Sequence, residues 1–264
     1  MNSVVRFIES IFGSVPHQKG DGVDNHINYC DLSQGNNKLE LKQLHYSELG
    51  DKRDKNTTRI CFISDTHGLH NCLNILPSSC DLLIYCGDMC FKGRNYSDEE
   101  GLNILVDFNN WVKKQCITTI VIGGNHDYHM EKFGKVRVKE ILSDCIYLMN
   151  ESVVINNISI YCTPFSVPAS FNRAFQDENT MNQAISDINS NNYHIVVSHS
   201  NQILKHMKSS RPRVFAFGHF HRMYGVYSGQ QLDQSTDSTV YICSSILDNK
   251  YCFTNPPIVY DLSV

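Results

Sequence analysis

The sequence predicts an α/β fold, and two observations support this class. Short apolar runs rich in β-branched residues recur along the chain, as expected for strands that are covered on both faces. Amphipathic stretches of helical length lie between several of these runs. Alternation of strands and helices is typical of α/β proteins with mixed sheets.

Eight runs are predicted to be strands, and four segments between them are predicted to be helices. The strands are residues 59–64, 82–86, 117–122, 158–162, 194–197, 214–217, 241–243 and 258–260. The helices are residues 97–114, 130–142, 178–189 and 202–208.

The first 57 residues differ in pattern from the rest. Residues 1–16 carry apolar side chains at roughly helical spacing, but Arg6 and Glu9 interrupt them, so they do not resemble a signal peptide. We expect an amphipathic helix packed on its own domain, with docking to a membrane or a protein partner as the alternative. Residues 17–37 are polar and predict a partly flexible linker. The folded domain is therefore predicted to span residues 58–264.

Composition narrows the functional classes. The 264 residues carry a formal net charge of −4, so a nucleic-acid polymer is not indicated as a partner. No run is long and apolar enough to span a bilayer. The 11 cysteines include no CxxC pair, which predicts reduced, buried thiols and a cytoplasmic location.

Polar side chains follow five of the predicted strands at the point where each strand ends. In chain order the groups are Asp65-Thr66-His67, Gly87-Asp88, Gly124-Asn125-His126-Asp127, His199 and Gly218-His219-Phe220-His221. Each group alone has an ordinary explanation, such as a helix N-cap, a turn or a structural histidine. Sites in open α/β sheets form at the carboxyl ends of strands, so the five groups together predict one shared site.

The donor types in this site restrict the metals it can bind. They are carboxylate and amide oxygens and imidazole nitrogens, with no thiolate among them. Such a set suits Mn²⁺, iron or Zn²⁺ better than Ca²⁺, which takes only oxygen.

The ordered set resembles the calcineurin-like metallophosphoesterases, whose pattern is DxH, GD, GNH[DE], a lone H and GHxH. The resemblance extends from about residue 58 to residue 264. A closer similarity, to the metallophosphoesterase-domain-containing branch, rests on residues 63–68, 218–225 and 254–262. The family resemblance implies a four-layer αββα sandwich with two mixed β-sheets.

The resemblance also implies that seven residues hold two divalent metal ions, three for each ion and one shared. They are Asp65, His67 and His221 for the first, Asn125, His199 and His219 for the second, and the bridging Asp88. Manganese is the expected metal, with iron or zinc as alternatives. His126 is expected to protonate the leaving group, and Asp127 to hydrogen-bond its other ring nitrogen.

The implied activity is that of a metal-dependent phosphodiesterase, which acts by attack of a metal-bound hydroxide. The branch implies a small phosphodiester substrate, with cyclic nucleotides expected. Two alternatives stay open: a metallophosphoesterase-fold scaffold with little or no catalysis, and a phosphomonoesterase or protein phosphatase.

Three residues are predicted to contact the substrate. Phe165 and Phe171 are interpreted as a rim on which a base stacks, with a core position as the alternative. Arg222, beside His221, is predicted to meet phosphate or to be solvated. One departure from the family pattern is Ser200, which stands where the family often has glycine and adds a Cβ near the expected substrate.

Overall fold

Two mixed β-sheets form the centre of the protein. The computed structural model describes residues 25–31, 39–50, 56–74, 76–167, 172–207, 211–232 and 238–263. Within them, the strands of the first sheet are β1 (His26–Asp31), β2 (Glu40–His45), β3 (Thr57–Ile63), β4 (Leu82–Tyr85), β5 (Thr118–Val121), β6 (Ile146–Tyr147) and β13 (Ile258–Ser263). The strands of the second are β7 (Glu151–Ile155), β8 (Ile158–Thr163), β9 (Ile195–Ser198), β10 (Val214–Phe217), β11 (Gly225–Ser228) and β12 (Val240–Cys243).

Each sheet contains a run of four parallel strands, which reaches the edge at β6 in the first sheet and lies in the middle of the second. The first sheet has the order β2-β1-β13-β3-β4-β5-β6, and the second has the order β11-β12-β10-β9-β8-β7. Strands β3 to β6 are parallel, as are β8, β9, β10 and β12. A parallel bridge between Ser64, after β3, and Ser245, after β12, joins the two sheets at their carboxyl ends. The carboxyl ends of both sets of parallel strands therefore lie together.

The two sheets pack face to face, and helices cover their outer faces. On β3, Ile60 and Phe62 belong to the core between the sheets, while Cys61 and Ile63 belong to the core beneath the helices. The helices are α1 (Asp98–Gln115), α2 (Tyr128–Ile141), α3 (Glu178–Ser190) and the short α4 (Gly229–Leu232). The predicted α/β fold with two mixed sheets is thus confirmed.

Local signals account for the helix boundaries. Helix α1 begins at a capping box, in which Ser97 and Glu100 each accept the other's backbone N–H. Helix α2 is interrupted at Gly134, where φ is +77°. The predicted helix at 202–208 is instead a 3-10 helix over Asn201–His206, a conformation common in such short connections.

No helix in the described ranges is long and apolar enough to cross a membrane.

The structure corrects the predicted start of the folded domain at residue 58. Strands β1 and β2 precede that residue and extend the first sheet, and β1 pairs in parallel with β13. Ile27 and Tyr29 are buried there. The linker prediction was wrong for this stretch because polar residues alternate with the apolar ones in β1 and dilute its hydrophobic signal. The predicted N-terminal helix and its docking role lie outside the described residues.

The prediction of free, buried cysteines agrees with the structure for most of them, but Cys72, Cys116 and Cys252 are exposed. All eleven are free, and seven are buried. Five of the cysteines stand in apolar runs of the sequence: Cys61, Cys86, Cys162 and Cys243 are fully buried, whereas Cys145 is only partly buried. They pack as small apolar residues.

A buried ion pair connects three strands of the first sheet. Arg59 of β3 donates from Nε and Nη2 to the two carboxylate oxygens of Asp261 on β13, each at 2.8 Å. Tyr29 of β1 donates its hydroxyl to the same carboxylate at 3.0 Å. The third nitrogen of Arg59 donates to the carbonyl of Gly50 at 2.7 Å. The side chains of Arg59 and Asp261 are only 2% and 7% exposed, so this bidentate pair is desolvated.

Asp261→Asn is expected to lower the free energy of unfolding by about 3–5 kcal/mol, because it leaves the buried guanidinium without its counter-charge. Urea denaturation measures this change. Glu140→Gln is the matched control, since the Arg137–Glu140 pair is 59% exposed on both sides; such pairs contribute at most about 1 kcal/mol. Equal effects of the two substitutions would contradict the assignment.

Candidate metal centre

The five polar groups converge at the shared carboxyl ends of β3, β4, β5, β9 and β10. Three overlapping sets of donor atoms form there, and within each set the atoms lie within 4.8 Å of one another. The sets are Asp65, His67 and His221; His67, Asp88 and His126; and Asp88, His199 and His219. Asn125 lies beside the third set. The structure therefore brings all seven candidate ligands together.

The first group of donors centres on two stacked imidazoles. Nε2 of His67 lies 3.4 Å from Nε2 of His221, and the rings are 15° from parallel. Each ring donates its Nδ1 hydrogen to a backbone carbonyl, that of Cys90 at 2.9 Å and that of Leu247 at 2.8 Å respectively. In the neutral tautomers both Nε2 atoms therefore present lone pairs to each other, an arrangement that a shared cation stabilises.

The second group of donors, His199, His219, Asn125 and Asp88, also combines imidazole rings with nearby oxygen atoms. Nδ1 of His199 donates to the carbonyl of Cys86 at 2.8 Å. Its Nε2 faces two oxygen atoms, Asn125 Oδ1 at 2.9 Å and Asp88 Oδ2 at 3.3 Å. Nδ1 of His219 lies 2.8 Å from the same amide oxygen of Asn125. Two imidazole nitrogens, an amide oxygen and a carboxylate oxygen thus meet at one point, which is a donor set that can hold a cation.

The electrostatics of the site support a cation. Burial lowers the pKa of His67 to about 4, and burial together with His199 lowers the pKa of His219 to about 4. These rings are therefore neutral at pH 7 and can ligate. Burial also lowers the pKa of His199, but Asp88 outweighs it and raises that pKa to about 9. The oxygen and imidazole donors, their burial and this preference for positive charge fit divalent ions.

The two carboxylate oxygens of Asp65 differ in the number of hydrogen bonds that they accept. Its Oδ2 accepts the hydroxyls of Ser64 at 2.5 Å and Ser245 at 2.7 Å. The His219 N–H reaches both carboxylate oxygens, at 3.0 and 3.1 Å. Oδ1 lies 3.9 Å from Nε2 of His221. This arrangement leaves Oδ1 as the oxygen for a metal, and Ser245 as a supporting residue that no sequence motif indicated.

Several candidate ligands have unusual backbone conformations. Asp65, His67, Asp88 and His219 have φ values of +56°, +45°, +61° and +68°. Such left-handed conformations are uncommon outside glycine, although Asp and His adopt them more readily than most residues. Each costs on the order of 1 kcal/mol or more and persists at sites where the strain is useful. Four such residues among the seven candidate ligands indicate a site shaped for binding.

Glycine is needed at Gly87 and Gly124 because side chains of candidate ligands lie against the backbone there. A Cβ on Gly124 would lie 2.3 Å from Asp88 Oδ1, and one on Gly87 would lie 2.6 Å from Nδ1 of His199. Gly87 also has φ of +96°. Larger residues at these positions would displace the candidate ligands.

The structure corrects the predicted role of Asp127. Its buried carboxylate accepts the backbone N–H groups of Asp88 at 2.8 Å, Cys90 at 2.9 Å and Gly124 at 2.8 Å. It therefore joins the loops after β4 and β5 and is a positioning residue. The predicted bond to His126 is wrong because these donors, together with the Met89 N–H at 3.4 Å, engage both carboxylate oxygens.

His126 is held by a backbone carbonyl instead. Its Nδ1 donates to the carbonyl of Phe91 at 2.6 Å, and its own backbone N–H donates to Asp88 Oδ1 at 2.8 Å. Its ring is half-buried and lies 4.6 Å from the ring of His67, centroid to centroid. The amide nitrogen of Asn172 lies 3.2 and 3.1 Å from its two ring nitrogens. Asn172 was missed because its loop has no motif.

The predicted substrate rim is only partly described. Phe165 is 7% exposed and packs edge to face on Phe175, with centroids 5.7 Å apart; it is a core residue, so its predicted rim role is wrong. Phe171 lies outside the described residues. Arg222 is exposed beside His221, and its contact with phosphate stays a prediction.

Ser200 fits its position without strain. Its backbone is extended, with φ of −123° and ψ of 146°, so glycine is not required there. The buried hydroxyl accepts the N–H of Gln202 at 3.3 Å and caps the 3-10 helix that follows.

The fold and the site together define a metal-dependent phosphoesterase. A family model for calcineurin-like phosphoesterases matches residues 58–223, more than half of the chain, and the chain belongs to this family. It is 26% identical to Metallophosphoesterase domain-containing protein 1 of Homo sapiens and of Mus musculus, over 78% of this chain and 71% of each relative. The similarity to the metallophosphoesterase-domain-containing branch is thus confirmed.

One solved crystal structure supports the fold. It matches with a TM-score of 0.52 at 10% identity, covering 70% of this chain and 90% of that chain. At this identity the likeness shows the fold alone.

Proposed function

We propose that this protein is a phosphodiesterase that uses two divalent metal ions. The observation that carries the proposal is the convergence of three overlapping donor sets at one point. The proposed ligands are Asp65, His67 and His221 for one ion, Asn125, His199 and His219 for the other, and Asp88 for both. Manganese is the first metal to test, with iron and zinc as alternatives.

The position of Asp88 supports its shared role. Its Oδ2 lies 4.0 Å from Nε2 of His67 and 3.3 Å from Nε2 of His199, so one oxygen reaches both groups of donors. Its Oδ1 is engaged by the His126 N–H. Although burial opposes ionisation, His199 and His126 hold the pKa of Asp88 well below its usual range. The carboxylate is therefore charged and available to two cations.

The residues of the chain would bind and orient the phosphodiester. Bound divalent ions would neutralise phosphoryl charge and lower the pKa of a water nucleophile. The Phe91 carbonyl engages the Nδ1 hydrogen of His126, so Nε2 is the ring nitrogen left to act on a substrate. From Nε2 the protonated ring would donate to the leaving-group oxygen. The amide nitrogen of Asn172 is a second polar contact of that ring.

Cyclic nucleotides are the first substrates we propose to screen. The similarity to the metallophosphoesterase-domain-containing branch supports this choice. The complete donor set favours an enzyme over a scaffold that lacks catalysis.

The proposal is tested by removing and restoring the metal. Protein stripped with a chelator is expected to lose hydrolysis of bis(p-nitrophenyl) phosphate and to regain it with Mn²⁺, because the donor cluster needs a cation. Release of p-nitrophenolate is followed by absorbance, and p-nitrophenyl phosphate serves as the monoester comparison. A rate that chelation leaves unchanged, or preference for the monoester, would contradict the proposal.

A further inference from the structure

Two partly exposed aromatic side chains border the candidate metal centre. The Tyr251 ring lies 4.9 Å from the ring of His67 and 5.5 Å from that of His221, centroid to centroid. Phe91 lies 6.0 Å from His67 and 4.8 Å from Tyr251. Both rings are half-buried, so they are in contact with the site and with solvent.

The three rings form a corner. The planes of His67 and Phe91 are 82° apart, those of His67 and Tyr251 are 84° apart, and those of Phe91 and Tyr251 are 86° apart. One wall of this corner is therefore a candidate metal ligand, and the other two are aromatic surfaces at right angles. A planar group carried by a phosphate bound at the metals would meet an aromatic ring here.

The backbone at Tyr251 indicates that its position is imposed by the fold. Its φ is +59°, which is rare for a bulky residue. The carboxylate of Asp248 accepts the N–H groups of Lys250 at 2.8 Å and Cys252 at 3.0 Å, and the Tyr251 N–H donates to the Asp248 carbonyl at 2.9 Å. This closed turn holds a strained residue beside the site, a feature that clusters at ligand-binding positions.

We propose that Tyr251 and Phe91 form a stacking subsite for a planar aromatic group, namely the nucleobase of a nucleotide whose phosphate is bound at the metal centre. The subsite rests on the proposed function for the place of the phosphate. It replaces the rim predicted at Phe165, whose side chain is in the core. Stacking on aromatic side chains discriminates little among bases, so the subsite selects for a base rather than for one base.

Equilibrium binding tests the subsite without relying on turnover. Calorimetry with the Mn²⁺-loaded full chain compares adenosine 5′-monophosphate with ribose 5-phosphate, which lacks only the base. We expect the nucleotide to bind at least about 5-fold more tightly, in line with the range for base stacking on aromatic residues. Tyr251→Leu is expected to remove that difference, whereas Tyr251→Phe is expected to keep it.

Tyr193→Leu is the matched control, because Tyr193 is a half-buried tyrosine that packs on Tyr161 away from the site; it is expected to bind both ligands as wild type does. Equal affinity of wild type for the two ligands, or equal loss of both in Tyr251→Leu, would overturn the subsite. Failure of both ligands to bind to the wild-type protein would also overturn the subsite. Wild-type hydrolysis of bis(p-nitrophenyl) phosphate, measured separately, shows whether the proposed function fails as well.

Discussion

Asp88→Asn is expected to reduce kcat/KM for bis(p-nitrophenyl) phosphate by at least about 10³-fold. A metal ion acting as a Lewis acid contributes several kcal/mol to the transition state, and each loss of about 1.4 kcal/mol costs a factor of ten. Asp88 Oδ2 reaches both groups of donors, so removal of its charge weakens both ions. The amide oxygen of asparagine can still accept the His126 N–H, which isolates the effect of the charge.

The matched control for this variant is Asp98→Asn. Asp98 is 60% exposed at the start of α1 and pairs with Lys132, so its loss is expected to change kcat/KM less than about twofold. Both variants are compared at saturating Mn²⁺, with thermal unfolding as the check on folding. A folded Asp88→Asn protein that keeps more than about a tenth of the activity would contradict the bridging role.

His126→Gln is expected to separate substrates by their leaving groups. General acid catalysis contributes about 10²–10⁴-fold, and we expect a loss in that range for a 2′,3′-cyclic nucleotide, whose leaving group is an alkoxide. For p-nitrophenolate, which leaves without protonation, the loss is expected to be much smaller. The ratio of the two kcat values measures proton donation at Nε2.

His206→Gln is the control for that comparison, since His206 is an exposed histidine in the 3-10 helix. It is expected to affect neither substrate. An equal loss for both substrates in His126→Gln would indicate that His126 positions the substrate or a metal rather than donating a proton.

The ligand positions could be predicted from the sequence because they follow strands directly. The side chains of Asp65, Asp88, Asn125 and His199 come within four residues of a strand end, and parallel strands bring those ends to one edge. In such cases the fold class alone determines the meeting point. The helices and the central strands were predictable for the same reason, since their signals are local.

The remaining features depend on contacts between distant segments. Strand β1 has too few apolar residues to be recognised without its partner β13. The carboxylate of Asp127 is taken by backbone donors 37 to 39 residues away in the chain, and a family motif does not specify that choice. Tyr251 belongs to a turn near the end of the chain and reaches His67 only after the sheets assemble. Local sequence patterns carry no information about contacts between residues that are far apart in the chain.

The number of Mn²⁺ ions bound per chain tests the central claim most directly. Metal-free protein comprising residues 1–264 is titrated by calorimetry, and the bound metal is counted by elemental analysis after gel filtration. Two ions per wild-type chain are predicted, with both weakened in Asp88→Asn and neither in Asp98→Asn. A count of one or none, or two ions whose affinities Asp88→Asn leaves unchanged, would contradict a dinuclear centre bridged by Asp88.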